Sequence, residues 1–229
     1  MMNESLPQGD EKRTAVRSMF DTIAPRYDLV NRLMTFRMDV GWRRRTIASL
    51  DLDPRSTVLD LACGTGDFCV ELEGAGHFPI GVDLSFGMLE AARTNAPLVQ
   101  GDLTTMPLDT ASTDAAVCGF ALRNLVELPA FFSELHRVVK PGGRVALLDV
   151  SKPDNKLLGR GHQFYFNKVV PKIGGALSDK EAYEYLPKSV SYLPEPPIMR
   201  QMLIDAGMID VERQQLTGGL SQLISAKRP

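Results

Sequence analysis

At 229 residues the chain has the length of one large domain, enough to bury a core without disulfide or metal staples. Its 26 Lys/Arg and 28 Asp/Glu nearly cancel, to a net charge of −2, so bulk electrostatics make no case for nucleic acid. The three cysteines, Cys63, Cys69 and Cys118, lack metal-ligand spacing, and His77, His136 and His162 are scattered, which speaks against disulfides and zinc. No stretch resembles a signal peptide and no uncharged run is long enough to span a bilayer, so a reducing cytoplasmic setting is expected. The charge is unevenly spread: nine Lys/Arg against four Asp/Glu over 11–45, six against fourteen over 46–150, eleven against eight over 151–229. Solvated helices are the simpler reading of the basic flanks; contact with an anionic surface is the other.

Residues 1–10 read as a frayed polar tail. From Arg13 to Leu50 the apolar spacing is helical. Val16, Phe20 and Ile23 share a face until Pro25 breaks the run. Tyr27, Val30, Leu33 and Met34 form a second piece, and Trp42, Ile47 and Leu50 a third beside Arg43-Arg44-Arg45. With no strand before Thr57, residues 11–50 are a helical annex. Strands are then expected at 57–61, 78–82, 97–100, 113–119 and 143–149, alternating with helices at 66–73, 85–95 and 129–139. That alternation specifies a parallel sheet covered on both faces. Pro141-Gly142-Gly143 reads as a tight turn into the fifth strand. An aromatic, basic insert follows, then a helix near 195–206 ended by Gly207. Runs at 208–213 and 220–226 read as a closing antiparallel pair. The expected division is one domain, 1–229: tail 1–10, annex 11–50, ligand-binding core 57–150, lid or substrate insert 151–193, and closing helix and strands 194–229.

Open α/β sheets bind ligands beyond the carboxyl ends of their strands. The first expected strand ends in Asp60-Leu61-Ala62-Cys63-Gly64-Thr65-Gly66-Asp67. Gly64 and Gly66 let backbone approach a ligand closely. A dinucleotide fingerprint requires a small third residue where Cys69 stands, and Asp60 would repel a pyrophosphate. An acid there suits a ligand with an ammonium group, which points to S-adenosylmethionine rather than NAD, its carboxylate held by the amides that open the next helix. Asp83, after the second strand, suits two ribose hydroxyls, or else caps the helix near Ser85. Asp102 and Leu103, after the third, suit an adenine edge, or else make a turn. Gly119, after the fourth, opens room for the ligand, and Asp149 follows the fifth. Small or acidic residues at five strand ends, in the order one adenosyl ligand needs, form a joint signal. No clustered carboxylates have the spacing for magnesium, and no metal is expected.

Gly64-x-Gly66, Asp83 and the run His136 to Gly143 resemble class I S-adenosylmethionine-dependent methyltransferases. More specific segments resemble the ubiquinone/menaquinone biosynthesis C-methyltransferases. They are Met19 to Asp28 with Asn31, Trp42-Arg43-Arg44, Leu122-Arg123-Asn124, Glu181 to Leu186 with Ser189, and Leu216-Thr217-Gly218-Gly219. The resemblance implies a Rossmann-like α/β fold: a mostly parallel seven-stranded sheet with an antiparallel last strand, helices on both faces, a helical annex and a helical insert. It implies cofactor contacts at Thr65, Asp83, Asp102, Leu103 and Gly119, to which the residue reading adds Asp60, Gly64 and Gly66. Three positions depart from the family: Gly119 where serine is usual, Asp149 where glutamate is usual, and Ser221 to Lys227 in place of a His-Gly-Tyr-Lys tail.

The implied activity is C-methylation of a prenylated quinol, demethylmenaquinol first. A paralogue acting on 2-methoxy-6-polyprenyl-benzoquinol or another aromatic is the alternative, and a non-catalytic S-adenosylmethionine-binding module is a third reading. Arg123, Asn124 and Tyr27 are the expected catalytic groups: a cation for the phenolate, an orienting amide and a closing hydroxyl. Arg123 could instead pair with an acid to hold the annex, and Tyr27 could be annex packing. A held water or His162 is the expected proton acceptor. In the insert, Leu158, Tyr165 and Val169 share a helical face, with Leu157 and Phe164 nearby and Lys156, Arg160, Lys168 and Lys172 around them. That stripe reads as a lid helix packed on the domain, or as a helix in a membrane interface. Contact with the inner face of the membrane and a homodimer are the partner expectations left open.

Overall fold

The computed structural model describes residues 8–151 and 188–229, together with 153, 159, 179 and 185. The stripe at 157–169 with its surrounding cations, His162, and the segment 181–186 apart from Tyr185 lie outside the described residues.

The chain begins with α1 (Gly9–Ile23), a short 3-10 turn (Ala24–Arg26) carrying Pro25, α2 (Tyr27–Met34) and α3 (Met38–Ser49). Pro25 sits at the start of its turn, where its missing N–H costs no helical hydrogen bond. Ile23, Ala24 and Val30 bury against Met88, so the first two helices pack through one apolar seam.

The sheet elements follow: β1 (Thr57–Leu61), α4 (Asp67–Gly74), β2 (Phe78–Asp83), α5 (Phe86–Glu90), β3 (Leu98–Gln100) and β4 (Thr113–Gly119). After these come α6 (Leu128–Val138), β5 (Val139–Val150), α7 (Pro196–Asp205), β6 (Ile209–Leu216) and β7 (Ser221–Lys227). The strands lie in the order β3-β2-β1-β4-β5-β7-β6. Pairings from β3 across to β5 are parallel, and β7 runs antiparallel to both β5 and β6.

Strand periodicity divides the core. Leu59, Leu61, Ala116, Cys118, Val145 and Leu147 face one layer, with Phe131, Phe132 and Leu135 of α6 and Met199 and Leu203 of α7. The alternating residues Val58, Ala115, Val117, Ala146 and Leu148 face the other, with Trp42, Ile47, Phe68 and Leu72 of α3 and α4. Both faces are therefore covered, as parallel strands require.

Two expectations change. The helix expected over 85–95 is only α5, Phe86–Glu90. Beyond it the chain turns so that the Arg93 N–H donates to Thr65 O at 2.9 Å, a tertiary bond that outcompetes further helix. The Pro141-Gly142-Gly143 turn is absorbed into β5, which first pairs at Val139 with Thr113 and resumes at Arg144. A Cβ at Gly143 would stand 2.5 Å from Asp114 O, so only glycine passes there. The order reverses between β1 and β4, and the crevice at such a reversal is where this architecture binds ligands.

Candidate active site

A cavity partly open to solvent lies over the ends of β1, β2 and β4 and under α1 and α2. Six of the expected cofactor residues line it: Asp60, Gly64, Asp83, Asp102, Leu103 and Gly119. So do Tyr27 and Asn124. Thr65, Gly66 and Arg123 are not among its lining residues.

Burial decides the state of Asp60. It is 1% exposed at the end of β1, and desolvation pushes its carboxyl up to about 7. The Cys69 amide at 3.1 Å and thiol at 3.3 Å both donate to it. Cys69 thus supplies a donor where a dinucleotide site would have a glycine. Burial pushes the Cys63 and Cys69 thiols well up, so neither is a thiolate at neutral pH.

Asp83 ties two loops together. It accepts the Gly64 N–H at 2.7 Å and the Ser85 N–H at 2.8 Å. Ser85, not Asp83, caps α5, accepting the Met88 N–H at 3.1 Å. A carboxylate has about four acceptor positions, so Asp83 keeps acceptor capacity for a ligand. Gly64 and Gly66 take left-handed φ values of 55° and 87°. At Gly66 a Cβ would come within 2.6 Å of Thr94, so the loop's second glycine serves backbone packing. Thr65 is buried, its hydroxyl donating to Asp28 of α2, which fastens the annex to the glycine loop.

Asp102 builds its own turn, accepting the Thr104 N–H at 2.8 Å and hydroxyl at 2.7 Å through one oxygen. Its other oxygen lies 3.3 Å from Arg13 Nε of α1. At Gly119 a Cβ would stand 2.6 Å from the Phe68 ring, so Phe68 fills the room a side chain would need.

Arg123 pairs with Asp149 at the end of β5, and both side chains are buried. Its acid therefore comes from the sheet, not from the annex. Asn124 follows on the same 3-10 turn, and its Oδ1 lies 3.5 Å from the Tyr185 hydroxyl. Tyr27 projects from α2, edge-on to Phe20 with ring centroids 5.9 Å apart. Burial pushes its phenol up to about 12, against the opposing influence of Arg123 and Arg43.

Arg43, which sequence reading named only within the Arg43-Arg44-Arg45 triplet and the Trp42-Arg43-Arg44 segment and gave no role, and Phe68, which it did not name, are further site residues. Arg43 lines the cavity, 5% exposed, with Nη1 at 2.5 Å from Asp39 and Nη2 at 2.8 Å from Asp67. The helical Asp39-to-Arg43 spacing was its available signal. For Phe68 the signal was the missing side chain at Gly119. Among the described residues no cluster of His, Cys, Asp or Glu could hold a metal, and no helix is long and apolar enough to cross a membrane.

The model of the ubiE/COQ5 methyltransferase family matches residues 8–227. The ubiquinone/menaquinone biosynthesis C-methyltransferase UbiE of Syntrophotalea carbinolica is 39% identical, over 99% of this chain and 98% of its own. The demethylmenaquinone methyltransferase of Roseiflexus castenholzii is 41% identical, over 92% of each chain. A solved SAM-dependent methyltransferase of Thermotoga maritima, described as a possible histamine N-methyltransferase, superimposes with a TM-score of 0.67 at 18% identity. It covers 93% of this chain and 100% of that one, a likeness of fold alone.

Proposed function

Because this chain belongs to the ubiE/COQ5 methyltransferase family, we propose that it transfers the methyl group of S-adenosylmethionine to a ring carbon of a prenylated quinol, with demethylmenaquinol as the acceptor. The observation that carries this reading is one cavity shared by Asp60, Asp83, Asp102 and Leu103 from three consecutive strand ends, by Tyr27 from α2 and by Asn124 from the turn after β4. The relatives' names supply the acceptor.

The residues fit the cofactor by their chemistry. Asp60 sits where an ammonium would draw it into its charged form, Asp83 keeps acceptor positions for a ribose diol, and Leu103 with Asp102 offers a backbone and carboxylate edge to adenine. Bound there, S-adenosylmethionine supplies an electrophilic methyl group on a sulfonium. Gly64 and Gly66 give the loop the backbone turn it needs, and Thr65 holds that loop to α2 through Asp28.

A ring carbon becomes nucleophilic when the neighbouring hydroxyl loses its proton, which for a phenol near pKa 10 costs about 4 kcal/mol at pH 7. Arg123 and Arg43 draw the Tyr27 pKa down while Asp67 and Asp28 draw it up, so a phenol beside Tyr27 is helped to ionise where it lies nearer the arginines than those acids. Tyr27 itself stays protonated to about 12, so it acts as a hydrogen-bond donor to the acceptor's oxygen and not as a base. Asn124 orients the ring. Arg123, committed to Asp149, acts by its charge and by holding the Leu122–Asn124 turn. A water in the cavity takes the proton.

A benzoquinol or other aromatic acceptor is the second reading, motivated by Gly119 where serine is usual and by the altered tail Ser221 to Lys227. Mass spectrometry of quinones from cells lacking the protein tests the main reading. Accumulation of a menaquinone lighter by one methylene supports it. An unchanged quinone pool, with methyl transfer to soluble phenols in vitro, would overturn it.

A further inference from the structure

Lys12 is 4% exposed, on the first turn of α1. Val16 and Phe20, one and two turns further along the same face, line the cavity, so Lys12 stands on the side of α1 that closes over the site. Its Nζ donates to Leu125 O at 2.8 Å and lies 3.7 Å from the centroid of the Tyr192 ring. Leu125 directly follows Asn124, and both line the cavity. Tyr192 ends the Val190–Tyr192 3-10 turn, and its ring centroid is 6.5 Å from that of Tyr185. The Tyr185 hydroxyl, in turn, is 3.5 Å from Asn124 Oδ1. The contacts close a circuit through α1, the turn after β4 and the aromatic pair. Asn124 is held from two sides, by the carbonyl of its neighbour and by its own amide.

An ammonium is costly to bury where no acid stands beside it. Among the described residues no acid is paired with Lys12, and burial alone pushes its pKa down to about 8. On its own helix Asp10 pairs with Arg13, Arg13 also with Asp102, and Glu11 is exposed. Beside Leu125, Arg123 is committed to Asp149 and Glu127 is exposed. Around the aromatic pair stand Tyr185, Tyr192 and the exposed Lys188. Burial raises both phenols above their ordinary range, Tyr185 to about 12, so neither ionises near pH 8.

A lysine at about 8 in the fold and 10.5 unfolded lowers stability wherever the fold must hold it charged. That cost is full below about 8 and fades as pH rises toward 10.5. An unbranched methionine would fill the same space without the charge. A charge kept at the fold's expense points to a task in the site.

We propose that Lys12 is a positioning residue for methyl transfer, its ammonium locking the annex to the acceptor wall so that Asn124 is fixed against the ring. The proposal deepens the preceding reading and rests on it in one respect, that Asn124 faces the acceptor. A neutral amine still donates to Leu125 O but loses its attraction for the ring face, so deprotonation loosens the lock.

Steady-state kinetics from about pH 6 to about pH 10 test it, read as the ratio of wild-type to Lys12→Met kcat/KM, in which the acceptor's own ionisation cancels. The ratio is about tenfold at pH 7 and falls toward one as pH rises through about 8. The wild-type to Lys12→Arg ratio gives the same reading without removing the charge, falling only above about pH 8, because the guanidinium stays protonated. Tyr192→Leu lowers kcat/KM at pH 7 and adds little to Lys12→Met, since both break one circuit. Cofactor Kd by calorimetry is unchanged in all of them. Ratios that do not vary with pH, a cofactor Kd that rises in step with the lost rate, or additive effects of Lys12→Met and Tyr192→Leu overturn the lock. The same pH-dependent ratios on a soluble phenol, from a protein that methylates no quinol, uphold the lock and refute the acceptor instead.

Discussion

The buried pair of Arg123 and Asp149 allows the structural and electrostatic roles of Arg123 to be separated. Both side chains are withdrawn from water, and Asp149 also accepts the Val150 N–H at 2.7 Å. Arg123→Met leaves that carboxylate uncompensated, which costs about 3–5 kcal/mol. For a domain of this size the loss lowers the melting temperature by roughly 6–20 °C. Arg123→Met combined with Asp149→Asn removes both charges, keeps an acceptor for Val150, and recovers most of that loss. Turnover follows a different course. A cation ~7 Å from a phenolate at an effective dielectric near 20 favours it by about 2 kcal/mol, or roughly thirtyfold in rate. The single variant, which leaves the Asp149 charge unopposed, therefore shows kcat about thirtyfold below wild type, and the double variant, which loses a neutral pair, a smaller drop, both with unchanged cofactor Kd, measured by labelled-methyl transfer and by calorimetry. A double variant that regains both stability and full turnover would show that Arg123 only holds its turn. Loss of cofactor binding in the stable double variant would also sink the assignment.

Gly119→Ser brings a Cβ to 2.6 Å from the Phe68 ring and should destabilise by about 1–3 kcal/mol; adding Phe68→Leu restores stability, and a single variant that melts like wild type contradicts the packing. Tyr27→Phe removes the proposed donor and is expected to lower kcat about tenfold or more at constant cofactor affinity; undiminished turnover would make Tyr27 a packing residue. Asp60 keeps its proton to about 7 in the fold, whereas an unfolded aspartate releases it near ~3.9. Between those values the folded state binds more protons, so this group's stabilisation falls as pH rises from about 4 to about 7. Urea unfolding of the ligand-free protein should show that fall and Asp60→Asn should lack it; parallel profiles refute the burial argument. An ammonium facing Asp60 also makes cofactor binding release protons below pH ~7, measurable by calorimetry in buffers of different ionisation enthalpy.

The existence and order of the seven strands were legible because β-branched and apolar runs alternate with helical spacing, but the Pro141-Gly142-Gly143 turn belongs to β5 and β6 runs on to Leu216. The strand-end residues were legible for a related reason. A parallel sheet puts every carboxyl end on one edge, so Asp60, Asp83 and Asp102 had to converge once β1, β2 and β3 were neighbours. The annex showed its helices by apolar spacing and Pro25. Its docking through Asp28 to Thr65 and through Arg13 to Asp102 left no periodic trace, because each joins residues far apart in the chain.

Chain chemistry alone thus determined the order of elements and which side chains could meet an adenosyl ligand. Tertiary packing decided which way those side chains are committed. It gave Arg123 to Asp149, filled the space beside Gly119 with Phe68, and drew Arg43 into the cavity between two acids. The division has a physical cause. Periodicity and turn propensity act between near neighbours and can be read along the chain. Ion-pair choice, ring packing and exposure depend on contacts that exist only once distant segments are brought together.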